Sequence, residues 1–131
     1  MAVITWTVKA EIANGPSFSK STNMTVEAYE KIDVVIPAGG QDVEVTVDGG
    51  GLQFLAIRVD TPSPLPAPSQ LKYAVNDAAA DPVALDQAVQ LMVGEGLIGL
   101  LGANPLESLF FSNDAAGDAT ISILVGRDAT P

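Results

Sequence analysis

Alternating hydrophobic and polar residues predict β-strands along most of the chain. The clearest case is residues 4–12, where Ile4, Trp6, Val8 and Ile12 alternate with polar side chains up to the turn sequence Asn14-Gly15-Pro16. Because these residues share one face, we expect them to pack in the core against an opposite sheet. For Trp6 this interpretation is favoured over an exposed platform on which a sugar would stack.

Residues 31–60 contain two further segments in which hydrophobic and polar residues alternate, and glycine-rich turns bound them. Val43, Val45 and Val47 alternate with acidic residues and threonine, as in a strand with one solvated face. After Gly49-Gly50-Gly51, the residues Leu55, Ile57 and Val59 face one side of a further strand and Phe54, Ala56 and Arg58 face the other. A meander of this kind buries one face and needs a second sheet to cover it.

Residues 82–93 fit two patterns. Asp81 as N-cap, Pro82 in the first turn and apolar residues at helical spacing favour a helix. As a strand, Val83, Leu85, Val89, Leu91 and Val93 would share one face. We favour the strand, because an otherwise all-β chain must pair its edges.

The predicted fold is an all-β, single-domain β-sandwich or jelly roll of about eight strands covering residues 1–131. Residues 61–69 contain four prolines in nine residues and predict a stiff crossing or an extended arm. A two-domain chain with this segment as linker is the alternative, but each half would be too small for a comfortable core.

The composition of the chain argues against several kinds of chemistry but does not identify a function. The 131 residues contain no Cys and no His, which removes thiolate and imidazole ligands and nucleophiles. The net charge of −10, without a cluster of basic residues, opposes binding to nucleic acid. We expect no enzyme activity, no cofactor, no nucleic-acid partner and no membrane span, and synthesis in the cytoplasm without a secretory signal.

Two local motifs have simple structural interpretations. Gly94, Gly96 and Gly99 have the G-x-G-x-x-G spacing, but Pro105 would interrupt the helix that a dinucleotide site requires, so we interpret these glycines as a turn. Between Tyr73 and Gly126 there are seven acidic and no basic residues. A solvated acidic surface explains them better than a calcium site, since the spacing of a calcium-binding loop is absent.

The last forty residues resemble small structural proteins of tailed bacteriophages. The resemblance lies in the apolar, glycine-dotted run from Leu91, the strand Leu109-Phe110-Phe111-Ser112-Asn113 and the closing strand from Ile121 to Asp128. These features are similar to those of capsid decoration (cement) proteins and related β-sandwich virion proteins. The strand rhythm extends the similarity to about residue 30.

This resemblance implies a non-enzymatic structural protein of the virion that is made in the host cytoplasm. Such a protein binds the major capsid protein on the outer capsid surface, commonly as a homotrimer, and stabilises the shell. We expect the capsid or subunit contacts in the proline-rich segment, at Pro62, Pro64, Leu65, Pro66 and Pro68, or in the N-terminal strand. The alternative is a carbohydrate- or surface-binding β-sandwich module, which would need exposed aromatic side chains on one sheet face.

Overall fold

The computed structural model of the chain describes residues 2–39, 42–47, 52–61, 70–85, 89–94, 98, 106–115 and 117–127. These residues form ten strands: β1 (Ala2–Glu11), β2 (Ser17–Val26), β3 (Ala28–Ile36), β4 (Val43–Thr46), β5 (Leu52–Thr61), β6 (Leu71–Val75), β7 (Val83–Ala84), β8 (Val89–Val93), β9 (Ser108–Asn113) and β10 (Ala119–Arg127).

The strands form a β-sandwich with one additional hairpin. One four-stranded sheet has the order β3-β10-β5-β8 and the other the order β4-β9-β6-β7, while β1 and β2 pair only with each other. All pairs are antiparallel. The all-β prediction is confirmed, with ten strands where about eight were expected. We call the β1–β2 hairpin the ribbon, and the β3-β10-β5-β8 sheet the first sheet.

The core lies between the two four-stranded sheets and consists mainly of aliphatic side chains. Leu55, Ile57 and Val59 of β5 point inward, as predicted, beside Ile121 and Ile123 of β10. Tyr73 and Phe111 cover them from the second sheet, with ring centroids 5.7 Å apart. Burial of these side chains supplies most of the free energy that holds the two sheets together.

Residues 83–84 and 89–93 are strands, so the helix alternative for this segment is wrong there. Val89, Leu91 and Val93 share one face, as predicted, and this face is the outer side of the first sheet, whereas Val83 belongs to β7 of the other sheet. Pairing of Leu55 with Met92 and of Ile57 with Gln90 turns those two side chains inward instead. Gln90 is accommodated because its Oε1 accepts a hydrogen bond from Tyr73 Oη at 3.0 Å and its Nε2 donates to Ala84 O at 2.7 Å.

The ribbon is separate from the sandwich core, which corrects the prediction for Trp6. Asn14 adopts a left-handed φ of 60°, and the turn at Asn14-Gly15 folds β2 back along β1. Trp6 is half-buried and packs on Phe54, on the outer side of the first sheet rather than between the sheets. Val8 and Ile12, which share its face, are exposed.

Candidate protein-binding surface

The ribbon is amphipathic because its two strands are in register over ten residue pairs. On one face Ile4 lies opposite Met24, and Ala10 opposite Phe18. On the other face Thr7 pairs with Ser21, whose hydroxyl lies 2.8 Å from its own, and Lys9 forms an ion pair with Glu11 at 3.4 Å. We call the first the apolar face of the ribbon; its members are Ile4, Trp6, Val8, Ala10, Phe18 and Met24, with Thr22 and Lys20 between them.

The proximal half of the apolar face is packed onto the first sheet. Trp6 and Phe54 lie with ring centroids 5.6 Å apart at an angle of 56°. A Cβ atom placed on Gly126 would lie 2.6 Å from Ile4 Cδ1 and 3.1 Å from a methyl carbon of the buried Val26. Glycine at this position therefore leaves the space in which the base of the ribbon sits on β10.

The distal half of the same face contacts nothing in the described part of the chain that would bury it. Phe18 is 64% exposed and Ile12 is 65% exposed, and Val8 is also exposed. Lys20 lies on this face opposite Val8, so one positive charge stands within the apolar surface. Exposed aliphatic and aromatic side chains that adjoin one another in this way are typical of a binding surface, whereas scattered ones are ordinary.

The outer side of the first sheet carries the remaining exposed apolar residues. Among the described residues, every large hydrophobic side chain classed as exposed lies either on the ribbon or on this outer side, where the examples are Tyr29, Val35 and Val89. An open depression of about 220 Å³ lies beside Val89, and Ala56 and Leu124 also line it. Among the described residues, the exposed large hydrophobic side chains are thus confined to the ribbon and the outer side of the first sheet.

A polar cluster adjoins this depression. Ser122, which is buried, has its Oγ 2.7 Å from Asp33 Oδ1 and 2.7 Å from Asp60 Oδ2, and since a hydroxyl has one proton it donates to one carboxylate at a time. Arg58 Nε donates to Asp60 Oδ1 at 2.6 Å, and Lys31 Nζ lies 3.3 Å from Asp33 Oδ1.

These contacts determine the charge state of both carboxyl groups. The hydrogen bond from Ser122, followed by that from Lys31, holds the pKa of Asp33 below its ordinary value. Ser122 and then Arg58 lower the pKa of Asp60 in the same way. A lowered pKa favours the ionised form of both groups, whereas the general acid of a carboxylate pair must be protonated.

The outer side of the second sheet has a different, more polar depression of about 290 Å³. Lys72, Phe110 and Ser112 line it, together with small residues of the β6–β7 connection. Lys72 Nζ and Asp114 Oδ2, which form an ion pair at 3.5 Å, also belong to this lining. Its walls offer a small ligand two opposite charges that already neutralise each other, so it is a weaker candidate than the ribbon side.

The described ranges contain neither a metal-binding cluster of side chains nor a helix suited to span a membrane. No group of three or more carboxylate, imidazole or thiolate side chains there is arranged to hold a metal ion. Within the same ranges no helix is both long enough and apolar enough to cross a bilayer. The predicted contact residues Pro62, Pro64, Leu65, Pro66 and Pro68 lie outside the described residues.

Sequence reasoning missed the exposed half of the ribbon, although the chain contains a signal for it. The turn at Asn14-Gly15 predicts a hairpin, and counting back from it places Val8 opposite Lys20 and Trp6 opposite Thr22. A strand whose partner presents lysine and threonine on the same face does not belong in a sandwich core.

Comparison with known proteins does not add to these observations. No protein-family model, no curated protein and no solved structure matches the chain.

Proposed function

We propose that this protein is a non-enzymatic structural protein of a tailed-bacteriophage virion, a capsid decoration (cement) protein. It binds the major capsid protein on the outer surface of the shell as a homotrimer and stabilises the shell against internal pressure. It is made in the host cytoplasm and ends in the virion. The class comes from the resemblance of the C-terminal forty residues, and the surface of the molecule is the independent support.

The observation that carries the proposal is the half-covered apolar face of the ribbon. A small-molecule site is concave and encloses its ligand. The distal ribbon is an exposed strand surface that includes Phe18 and Ile12, which suits contact with another protein surface. A protein whose work is to hold subunits together needs such surfaces and needs no reacting groups.

Charge supports a protein partner over DNA. The net charge of −10 repels phosphate groups, and the segment from Tyr73 to Gly126 has no basic residue. Contacts with a shell would then come from apolar and main-chain groups, and binding would vary little with salt. The proline-rich residues 62–68 remain the proposed shell contact, because prolines reduce the entropy lost on docking.

Co-sedimentation tests this function directly. Purified protein is mixed with undecorated capsids and, separately, with duplex DNA, each at low and high salt. We expect retention by capsids under both conditions and a higher temperature of capsid disruption when the protein is bound. Retention by DNA, or indifference to capsids, would contradict the assignment.

A carbohydrate- or surface-binding module is the second candidate, and the position of the aromatic residues favours it. Trp6 packs over Phe54, and Tyr29 lies on the same outer side of the first sheet, opposite Gly126. Two aromatic rings near each other on one surface can stack on sugar rings. Calorimetry with soluble glycans tests this function: saturable binding that Tyr29→Ala abolishes, without loss of fold, would replace the capsid assignment.

A further inference from the structure

The apolar face of the ribbon is a single surface that the described residues cover only in part. Its proximal half, with Ile4 and Trp6, lies on the outer side of the first sheet at Gly126 and Phe54. Its distal half, with Val8, Ala10, Phe18 and the adjoining Ile12, is exposed. We propose that this distal half docks on the outer side of the first sheet of a second copy of this chain.

Continuity with the packed half is the first argument for a second copy. The outer side of the first sheet already accepts the apolar face of the ribbon at one end of β5 and β10. The next pair on the same side of these two antiparallel strands is Ala56 and Leu124, which adjoins the pair Phe54 and Gly126. It lies beside the depression next to Val89. The surface next to the existing contact is therefore concave and largely apolar, with Lys31 and Arg58 also in its lining, and no described residue covers it.

Size is the second argument. From Val8 to Ile12 the exposed strand measures roughly 13 Å at about 3.3 Å per residue. The first sheet has four strands, and at about 4.8 Å between neighbours its width is about 14 Å. The distal ribbon can thus lie across the whole sheet of a neighbour.

Charge is the third argument. Residues 2–26 carry Lys9 and Lys20 against Glu11, whereas the rest of the chain carries fifteen acidic side chains against four basic ones. The only basic side chain on the apolar face is Lys20. The receiving surface presents Asp33 and Asp60, which are paired with Lys31 and Arg58, so the attraction comes from the net charges of the ribbon and the body. A basic ribbon on an acidic body favours docking between copies over repulsion.

The contact joins two different surfaces, the distal ribbon of one copy and the outer sheet of the next. Contacts of this heterologous type continue from copy to copy and form a closed ring when the rotation between copies permits it. Three copies would close the ring of the homotrimer proposed above. The inference rests on that proposed function only for the number of copies, and it leaves the contact with the shell to other surfaces.

Two exposed residues of equal exposure provide a matched test. Phe18 and Val3 are each 64% exposed, but Phe18 is on the apolar face of the ribbon and Val3 is on the opposite face. Sedimentation equilibrium of the full chain across micromolar concentrations should show an oligomer that Phe18→Ser weakens about tenfold or more. Val3→Ser should leave association unchanged, and both variants should keep the circular dichroism spectrum of the wild type.

The receiving surface is tested by Val89→Lys, because Val89 lies beside the depression and is exposed. This variant should likewise associate about tenfold or more weakly than the wild type. Mixed together, Phe18→Ser and Val89→Lys should form a one-to-one heterodimer, because the first retains an intact sheet and the second an intact ribbon. If Val89→Lys still oligomerises alone, the ribbon instead pairs with another ribbon and the proposal is wrong.

The outcomes separate this inference from the proposed function. A wild-type protein that stays monomeric, and that loses capsid binding on Phe18→Ser, would show that the shell covers the ribbon. It would overturn the inference and the trimeric state, and leave the binding to capsids standing. An oligomer that Phe18→Ser disrupts and that ignores capsids would leave the inference standing and remove the decoration function.

Discussion

The sandwich and the ribbon contain similar alternating strands, but their apolar faces differ in how far they are buried. In the sandwich the inner sides of two sheets cover each other, so Ile57, Ile123 and Phe111 are fully buried. In the ribbon the same alternation produces an apolar face that is covered only at the base of the hairpin. The difference is the number of layers: a face is buried when a second layer exists, and the distal ribbon has none among the described residues.

The ribbon also depends on the sandwich more than the sandwich depends on the ribbon. An isolated two-stranded hairpin is marginally stable in water. Here its base is fixed by Ile4, Trp6 and the fully buried Val26 on the first sheet. The sandwich has eight strands and its own core, so loss of the ribbon contact should loosen the hairpin first.

The largest expected effect comes from truncating a phenylalanine in the core of the sandwich, and it contrasts with the effect of truncating a phenylalanine on the ribbon. Phe111→Ala should lower the free energy of unfolding by about 3 to 5 kcal/mol, because it leaves a cavity beside Tyr73 in the core. Phe18→Ala should change it by less than about 0.5 kcal/mol when measured at low protein concentration. Urea titrations of both variants make the measurement; similar losses would mean that the ribbon is part of one cooperative core.

High pH should weaken the sandwich through Tyr73. Burial raises the pKa of its hydroxyl to about 12, from an ordinary 10 in the unfolded chain. The unfolded state therefore releases a proton first, and the stability that the neutral hydroxyl provides is intact below pH 10 and falls between pH 10 and 12. The loss should reach about 2 to 3 kcal/mol.

Tyr73→Phe is the control for this titration, because it removes the ionising group and retains the ring. The variant should lose about 1 kcal/mol at neutral pH with the hydrogen bond to Gln90. Between pH 10 and 12 its free energy of unfolding should fall less steeply than that of the wild type. Equal slopes in the two proteins would contradict the prediction.

The contact between the two regions can be broken at Gly126. A Cβ there would lie 2.6 Å from Ile4 Cδ1 and 3.3 Å from Phe54 Cβ, so Gly126→Ala should displace the base of the ribbon at a cost of about 1 to 2 kcal/mol. Trp6 is the single tryptophan of the chain, and its fluorescence should shift to longer wavelength as it leaves Phe54.

Gly117→Ala is the matched control for this experiment. A Cβ at Gly117 would meet nothing within 4 Å, so neither stability nor Trp6 fluorescence should change. An unchanged spectrum in Gly126→Ala as well would show that Ile4 moves aside without disturbing the ribbon.

The sandwich was predictable from sequence because its strands alternate in the ordinary way. The inward side of β5 follows from Leu55, Ile57 and Val59 alone, and the closing strand from Ile121 and Ile123. Alternation states which residues share a face, but it does not state which face a neighbour covers. For β8 that choice depends on pairing with β5 and on Tyr73, whose hydroxyl makes an inward Gln90 acceptable.

The candidate binding surface was less predictable for a related reason. It combines residues from β1, β2, β3 and β8, which are distant in sequence and adjoin only once the first sheet has formed. Tyr29, Val35 and Val89 are individually ordinary exposed residues. Only the register of the sheet shows that all three share the outer side with the base of the ribbon.

The smallest expected effect concerns the polar cluster on the outer side of the first sheet. Ser122→Ala removes the hydroxyl that lies 2.7 Å from both Asp33 and Asp60, so the pKa of each carboxyl should rise toward its ordinary value. In the wild type the lowered pKa values contribute stability that is present above about pH 4 and is lost as the pH falls through the folded-state pKa.

Carboxyl carbon chemical shifts, followed by NMR during an acid titration, measure both groups in one experiment. Both aspartates are open to solvent, so we expect a change in titration midpoints without a marked change in global stability. Lys31→Met is the companion variant: it should raise the midpoint of Asp33 through loss of the 3.3 Å contact and affect Asp60 less. Equal shifts at both aspartates in Lys31→Met would mean that the two carboxyl groups titrate as one coupled unit through Ser122, because the hydroxyl reorients its hydrogen bond toward whichever carboxyl group is ionised.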